Sequence, residues 1–449
     1  MFLKKKITLV VVIILLTMLF SSRAFTFTNM FTTSALYQGN GTENDPYLVY
    51  NEADLRKIGN DEDWTLDKSY KLMVNITLEK PAEEQSNWIP IGDLDNPFQG
   101  IFDGNNKTIK NITIFTKGDL YYEGNLDYIG FFGAVNNVNI KNLGLLDIEI
   151  SAPSSDYLER LVATPYVGGI VGCFTQGKLE NCHVTGNITV DADQSTVGGL
   201  GGFLDNVIVN NCYSKANIEL IDTKFPIANC YCGGLFGMIS VSSIETCFYS
   251  GNINFINLRG TIPINEFFTG GIVGRVKSMW PSKPSKIENC YSLANFFIGL
   301  TGYPAIGGII GSFNNGDNVK NCYYAGKMII SETVIDRGGI VALSTRDNSV
   351  ENCIVAHETF GIRYNSLNVG ILGRLSQANL VDNYYLQEII TNLGTAISKE
   401  KLKKQSSYED IGWSFSGDNP VWEFSGEYAL PKLVGVGGQD DLVTPAHLL

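Results

Sequence analysis

Hydrophobic and polar positions alternate along this chain in short bursts that return in a fixed order. One burst, Val167-Gly-Gly-Ile-Val-Gly172, recurs as Val197-Gly-Gly-Leu-Gly-Gly202, Cys232-Gly-Gly-Leu-Phe-Gly237, Thr269-Gly-Gly-Ile-Val-Gly274, Ile306-Gly-Gly-Ile-Ile-Gly311 and Arg337-Gly-Gly-Ile-Val-Ala342, with the shorter Ile129-Gly-Phe-Phe-Gly133 and Val369-Gly-Ile-Leu-Gly373 on either side. A second burst, Leu179-Glu-Asn-Cys182, returns at Cys212, Cys247, Cys290, Cys322 and Cys353, in steps of 30, 35, 43, 32 and 31 residues. A third follows at a fixed offset, as in Gly186-Asn-Ile-Thr-Val190, Ala216-Asn-Ile-Glu-Leu220 and Gly326-Lys-Met-Ile-Ile330. Three β-type segments per repeat, each too short for a helix, predict one three-sided coil of a solenoid whose faces are parallel sheets.

The third segment indicates which side chains point inward, because Ile188/Val190, Ile218/Leu220 and Met328/Ile330 alternate with mostly polar residues at period two. In the second segment Leu179 and Cys182 are three apart, so both reach the interior only if the chain bends between them. Asn181 stands at that bend, and Asn tolerates the left-handed conformation a corner needs. Asn211, Asn289, Asn321, Asn352 and Asn383 are read into the same place, with Thr246 the exception, and their stacked amides can bond along the axis. The paired glycines imply either a positive φ or a backbone approach too close for a side chain, and both remain open. Long connections fall at 151–164, 221–231, 256–268 and 276–286, so insertions gather on one edge of the solenoid. Their aromatic residues Tyr157, Phe225, Phe267, Phe268 and Trp280 are the candidate ligand contacts.

The Gly-Gly-hydrophobic-hydrophobic-Gly segment, followed by Asn-Cys-Tyr and then Gly-Asn-Ile, resembles the GLUG-motif repeat of bacterial and archaeal surface and adhesin-like proteins. The flanks agree: Gly39-Asn-Gly-Thr-Glu-Asn-Asp-Pro-Tyr47 resembles their opening segment, Phe98-Gln-Gly-Ile-Phe-Asp-Gly104 their first-coil motif, and Trp413, Trp422 and Tyr428-Ala-Leu-Pro431 their closing region. The likeness spans about residues 37 to 434. It implies an all-β, right-handed parallel β-helix of about eight to ten coils in a secreted protein, with no defined enzymatic activity.

The ends predict other roles. Lys4 to Lys6 precede an apolar run from Ile7 to Phe20, and Ser22 and Ala24 stand at the −3 and −1 places of a small-residue cleavage site, so residues 1–24 read as a secretory signal peptide. Fourteen residues at helical rise cover about 21 Å, short of a ~30 Å hydrocarbon core, so a permanent span is disfavoured. Residues 25–36 then form a spacer, 37–115 the N-terminal cap and first coils, 116–390 the repeats, 391–434 a C-terminal capping region and 435–449 a disordered tail. Within the caps, Asn51 is expected to start a short helix over Glu52 to Ile58, Ser398 to Ser407 to form a polar helical run, and Trp413, Trp422 and Tyr428 to seal the last coil.

Composition narrows the function. The 33 Lys+Arg against 46 Asp+Glu give −13, and removing the signal region takes away four positive charges and no negative one, moving the charge to −17. Such a surface repels phosphate backbones and excludes nucleic-acid binding as the main task. Six of the nine cysteines share one repeat position, which favours small buried hydrophobes over disulfides. Metal binding lacks a Cys-x-x-Cys pair, and no cofactor motif is present. His183 replaces Tyr213, Phe248, Tyr291 and Tyr323 of later repeats, so it belongs to an aromatic row. Glu180, Glu245, Glu288 and Glu351 recur too regularly for a local catalytic pair. The expectation is a secreted or cell-surface, non-enzymatic, adhesin-like solenoid. Its partner would be an extracellular glycan or surface protein, and it would touch membrane only through an uncleaved signal. The rivals are a carbohydrate-active enzyme and a passive spacer.

Overall fold

β-branched and aromatic residues at every second position, broken by Gly and Asn corners, build coils that stack in parallel register. In the computed structural model, Tyr128–Ile129, Tyr166–Gly168, Ser195–Gly198, Asn229–Gly233, Glu266–Gly270, Ala305–Gly307 and Asp336–Gly338 form a seven-stranded first face. The second face follows the Gly-Gly corner, as in Val171–Glu180 and Gly201–Asn210, and the third follows the Asn corner, as in His183–Asp191 and Asn252–Asn257. Partial rungs at Tyr47–Val49 and Thr395–Ile397 extend the stack at either end. This is the right-handed, three-sided parallel β-helix that the resemblance implies. The structure describes residues 38–116, 128–152, 165–191, 195–222, 229–257, 266–277, 283–299, 304–314, 316–330, 336–345, 347–360, 370–373, 377–387, 389 and 393–449. Gly41–Leu449 is one unit; of the other, Met1–Asn40, only residues 38–40 are described, so the signal and spacer readings lie outside the described residues.

Inward positions match the alternation: Ile188, Ile218 and Leu220 are fully buried, as are all six cysteines of the repeat column. Asn181, Asn211, Thr246, Asn289, Asn321 and Asn352 have φ between 51° and 54°. Their side chains form the expected ladder, with Asn181 Nδ2 donating to Asn142 Oδ1 at 3.0 Å and Asn321 and Asn352 each donating to the preceding amide at 3.1 Å. Asn383 corrects the reading. Val350 pairs with Leu380, so Asp382, with φ 49°, takes the corner, and Asn383 falls in the cysteine column. The paired glycines are explained by close approach: a Cβ on Gly168 would lie 2.4 Å from the Gly201 Cα, and one on Gly234 would lie 2.2 Å from the Gly271 carbonyl oxygen.

All nine cysteines are free and buried. Their place after the corner has a polar as well as an apolar reason. Each column thiol donates to the carbonyl two residues back, at 3.2 Å for Cys182 and 3.1 Å for Cys322, and the Cys182 N–H donates to Cys212 Sγ at 3.4 Å. Asn383 does the same work with an amide, accepting from the Cys353 N–H at 2.8 Å and donating to Val350 O at 2.7 Å.

The helix after Asn51 is Glu52–Leu55, with Asn51 Oδ1 accepting from the Asp54 N–H at 2.9 Å. The C-terminal helical run is two short helices, Lys399–Leu402 and Ser406–Glu409. The largest difference concerns residues 435–449, expected as a disordered tail. They fold back along the solenoid, with Gln439 and Leu448 buried, Lys215 paired to Asp441, and His447 Nε2 2.6 Å from Ala356 O. Trp413 and Trp422 likewise do not seal the last coil. They stack 4.4 Å apart on the flank of the two preceding coils, near Tyr323, and Trp413 Nε1 donates to Asn352 O at 2.9 Å.

Candidate functional site

The residue after each column cysteine builds one continuous row: His183, Tyr213, Phe248, Tyr291 and Tyr323 stack at 4.8 Å with planes within 5°. Such a row could serve as a stacking platform, but the C-terminal stretch occupies it. Gly438 lies against Tyr213, the Tyr291 hydroxyl donates to Gln439 Oε1 at 2.9 Å, and the Tyr323 hydroxyl donates to Pro431 O at 2.9 Å. Burial, with Lys215 nearby, lowers the pKa of His183 below the usual histidine range. His183 is therefore a ring in the stack, as its repeat position indicates.

Of the sequence-predicted contacts, Tyr157, Phe225 and Trp280 lie outside the described residues. Phe267 and Phe268 do not sit on a loop. Both belong to the first-face strand Glu266–Gly270, where period two sends Phe267 into the core at 0 % exposure and Phe268 outward at 7 %. Phe268 there packs into a notch, because the outward side chains of the first and second faces meet across the Gly-Gly corner. The Arg275 guanidinium lies 4.8 Å from the Tyr231 ring centroid and 5.4 Å from that of Phe268. Arg275 pairs with Glu266 at 2.6 Å and donates to the Tyr231 hydroxyl, which donates to Glu266 at 2.7 Å. Burial and the Glu266 bond raise the pKa of the Tyr231 phenol. Truncating Phe268 would thus disturb packing, so it cannot test binding alone.

Toward the N-terminus the notch continues as half-buried rings: Tyr128 stacks on Tyr166 at 5.5 Å, and Tyr166 lies 5.7 Å from Phe203. Tyr128 also lines a cleft of about 830 Å³ with Arg56, Asp61, Trp88, Ile89 and Asp93, and Ile89 is 81 % exposed. The cleft carboxylates are engaged in turns. Asp93 Oδ1 accepts from the Asp95 and Asn96 N–H groups at 2.9 and 2.7 Å, and Asp61 accepts from the Asp63 N–H at 3.0 Å. Among the described residues no group of three or more His, Cys, Asp or Glu is placed to hold a metal ion, and no helix is long and apolar enough to cross a membrane. Glu180, Glu245, Glu288 and Glu351 lie in one outward column with Asn210 and Lys320, as a solvated strand face.

Sequence reasoning missed a surface on the third face. There the outward column runs Ser151, Thr189, Glu219, Asn254, Phe297, Ile329, so it turns from polar to apolar along the axis. Phe297 and Ile329 are 40 % exposed, and Ile256 on the neighbouring coil 39 %. The signal was present in Asn295-Phe-Phe-Ile298 and Lys327-Met-Ile-Ile330, where the usual outward polar residue is replaced twice in succession.

The described geometry agrees with what this chain resembles. The chain spans only a small part of its curated relative: halomucin of Haloquadratum walsbyi (strain DSM 16790 / HBSQ001) is 29 % identical over 177 residues, which cover 38 % of this chain and 2 % of halomucin. Among solved structures, that of a candidate immunoglobulin A1 protease from Bacteroides ovatus superposes with a TM-score of 0.52 at 20 % identity, covering 88 % of this chain and 94 % of that one, a likeness of fold. The chain carries the GLUG motif, whose family model matches residues 163–189, the coil that runs from the first Gly-Gly corner through the first column cysteine.

Proposed function

We propose that this protein is a surface-associated or secreted β-solenoid that acts as an adhesin-like binding module for extracellular glycan or protein ligands. The observation that carries the reading is the continuity of one edge: the cleft bounded by Ile89 and Tyr128 opens onto the rings of Tyr166 and Phe203 and reaches the Arg275–Glu266 pair. Concave surface, partly exposed rings and one fixed ion pair are the usual ingredients of a specific contact. The GLUG motif and the similarity to halomucin support the surface placement. Neither cleft aspartate is free of a local turn, which favours binding over acid–base chemistry.

The test uses the full chain on immobilised extracellular glycans and matrix proteins. Tyr166→Ala combined with Arg275→Gln is expected to weaken attachment at least tenfold, about 1.4 kcal/mol, with the circular-dichroism spectrum retained. Undiminished attachment by the variant overturns this reading, as does polysaccharide turnover that Asp93→Asn abolishes.

A further inference from the structure

A second surface lies on the third face, away from that edge. Four outward asparagines on consecutive coils, Asn187, Asn217, Asn252 and Asn295, form an amide ladder in which each Nδ2 donates to the preceding Oδ1, at 3.2, 3.1 and 3.1 Å. At its start Asn187 donates to Glu149 at 3.2 Å, and the next position after Asn295 is Lys327, so charges bound the asparagine column, with Glu219 in the outward column beside it. A primary amide has two N–H donors and two acceptor lone pairs. The ladder uses one N–H of each, and Asn217 Oδ1 accepts twice, from Asn252 Nδ2 and from the Asn252 backbone N–H at 3.3 Å, so what repeats from coil to coil is a second amide N–H.

Two residues along the same strands stand Asn254, Phe297 and Ile329, with Ile256 beside them. Asn252, Asn254, Phe255, Ile256 and Phe297 line an open cleft of about 320 Å³. Single exposed apolar residues are ordinary, but three on neighbouring coils beside a ladder of amides mark a contact surface.

The chemistry of the surface selects its occupant. Asn252–Asn257 is paired on both sides, with Asn217–Asp222 and with Asn295–Ile298, so no backbone edge is left for an extended peptide to join. The asparagine column has one lysine, Lys327 at its end, against Glu149 and Glu219, and the net charge of −13 opposes an acidic polymer. A neutral sugar chain fits both halves: its hydroxyls donate and accept as the amides do, and its C–H faces pack on the Phe297 ring and the isoleucines. We propose that this patch is a binding site for a neutral polysaccharide lying along the solenoid axis on the third face.

Titration of the full chain with cellohexaose, chitohexaose and mannohexaose, beside heparin and polygalacturonate, tests the assignment. At least one neutral hexasaccharide is expected to bind, and Phe297→Thr with Ile256→Thr to weaken it at least tenfold with the cooperative unfolding transition retained, since both side chains are partly exposed. The Tyr166→Ala/Arg275→Gln variant is expected to bind that sugar normally, which separates this site from the edge proposed above. Binding of none of the three neutral sugars up to millimolar concentration, binding of the polyanions alone, or full affinity in the Phe297/Ile256 variant would each overturn the proposal.

Discussion

Gln439 is the residue on which the C-terminal strap turns. It is 5 % exposed and makes four hydrogen bonds: its Oε1 accepts from the Tyr291 hydroxyl at 2.9 Å and the Leu433 N–H at 2.8 Å, and its Nε2 donates to Leu433 O and Val436 O at 2.8 Å. Replacing it with Ala strands at least two donors, one on a tyrosine that is 0 % exposed. At about 1–3 kcal/mol for each buried group left without a partner, the expected cost is about 2–6 kcal/mol. Part of that cost will appear as local detachment of residues 435–449, because terminal segments open before the whole fold does. Urea unfolding followed by tryptophan fluorescence measures the first effect, and the rate of thermolysin cleavage after residue 433 the second. Gln439→Glu keeps the acceptor but turns a carboxylate toward two carbonyl oxygens, so it should fare no better than Ala. If Gln439→Ala unfolded at the parental urea concentration and was cleaved at the parental rate, the tail would be solvated after all and the aromatic row open.

Cys322→Ala should cost only about 1–2 kcal/mol, since it leaves a small void and one unmatched carbonyl, whereas Cys322→Arg should prevent folding by burying an unpaired charge; soluble expression of both variants checks this. Burial raises the pKa values of Tyr249, Tyr291, Tyr323, Tyr324 and Tyr408. Their neutral form is therefore favoured by folding: the contribution is complete below the unfolded tyrosine pKa near ~10 and is lost as pH rises beyond it. Phenolate absorbance should appear cooperatively with unfolding, and reversible titration of these rings near pH 10 in the folded protein would contradict their burial. Removing the coil 306–336, which a purely nearest-neighbour solenoid would tolerate, should instead destabilise the chain, because it removes Tyr323 from under Pro431 and shifts Tyr291 relative to Gln439; a melting temperature equal to the parent's would show the strap to be energetically idle.

What the sequence made legible were the positions on which every coil imposes the same demand. Ile188, Ile218 and Met328 must face inward, and the residue after Glu180 or Glu288 must accept a left-handed turn, so the signal repeats until it can be read without coordinates. Asn383 was misplaced because the last coil has no cysteine to set its phase. An amide in the thiol's place looks like the amide of the corner one residue earlier, and only the pairing of Val350 with Leu380 separates them.

The candidate surfaces were less legible for the same physical reason. A binding surface is made where outward positions differ between coils, and a pattern search discards those differences as noise. Phe297 and Ile329 are conspicuous only once register puts them side by side, just as Phe267 and Phe268 separate into core and notch only once the strand is known to begin at Glu266. The strap is harder still, because the Tyr291–Gln439 bond joins residues 148 apart and no periodicity relates them. A stack of aromatic rings at one coil spacing is an adhesive edge if left bare. A non-repeating C-terminal segment that lies down on it lets the fold keep the stacking energy of the row, while the outward positions that differ between coils lie elsewhere, in the Gly-Gly notch and farther along the third-face strands.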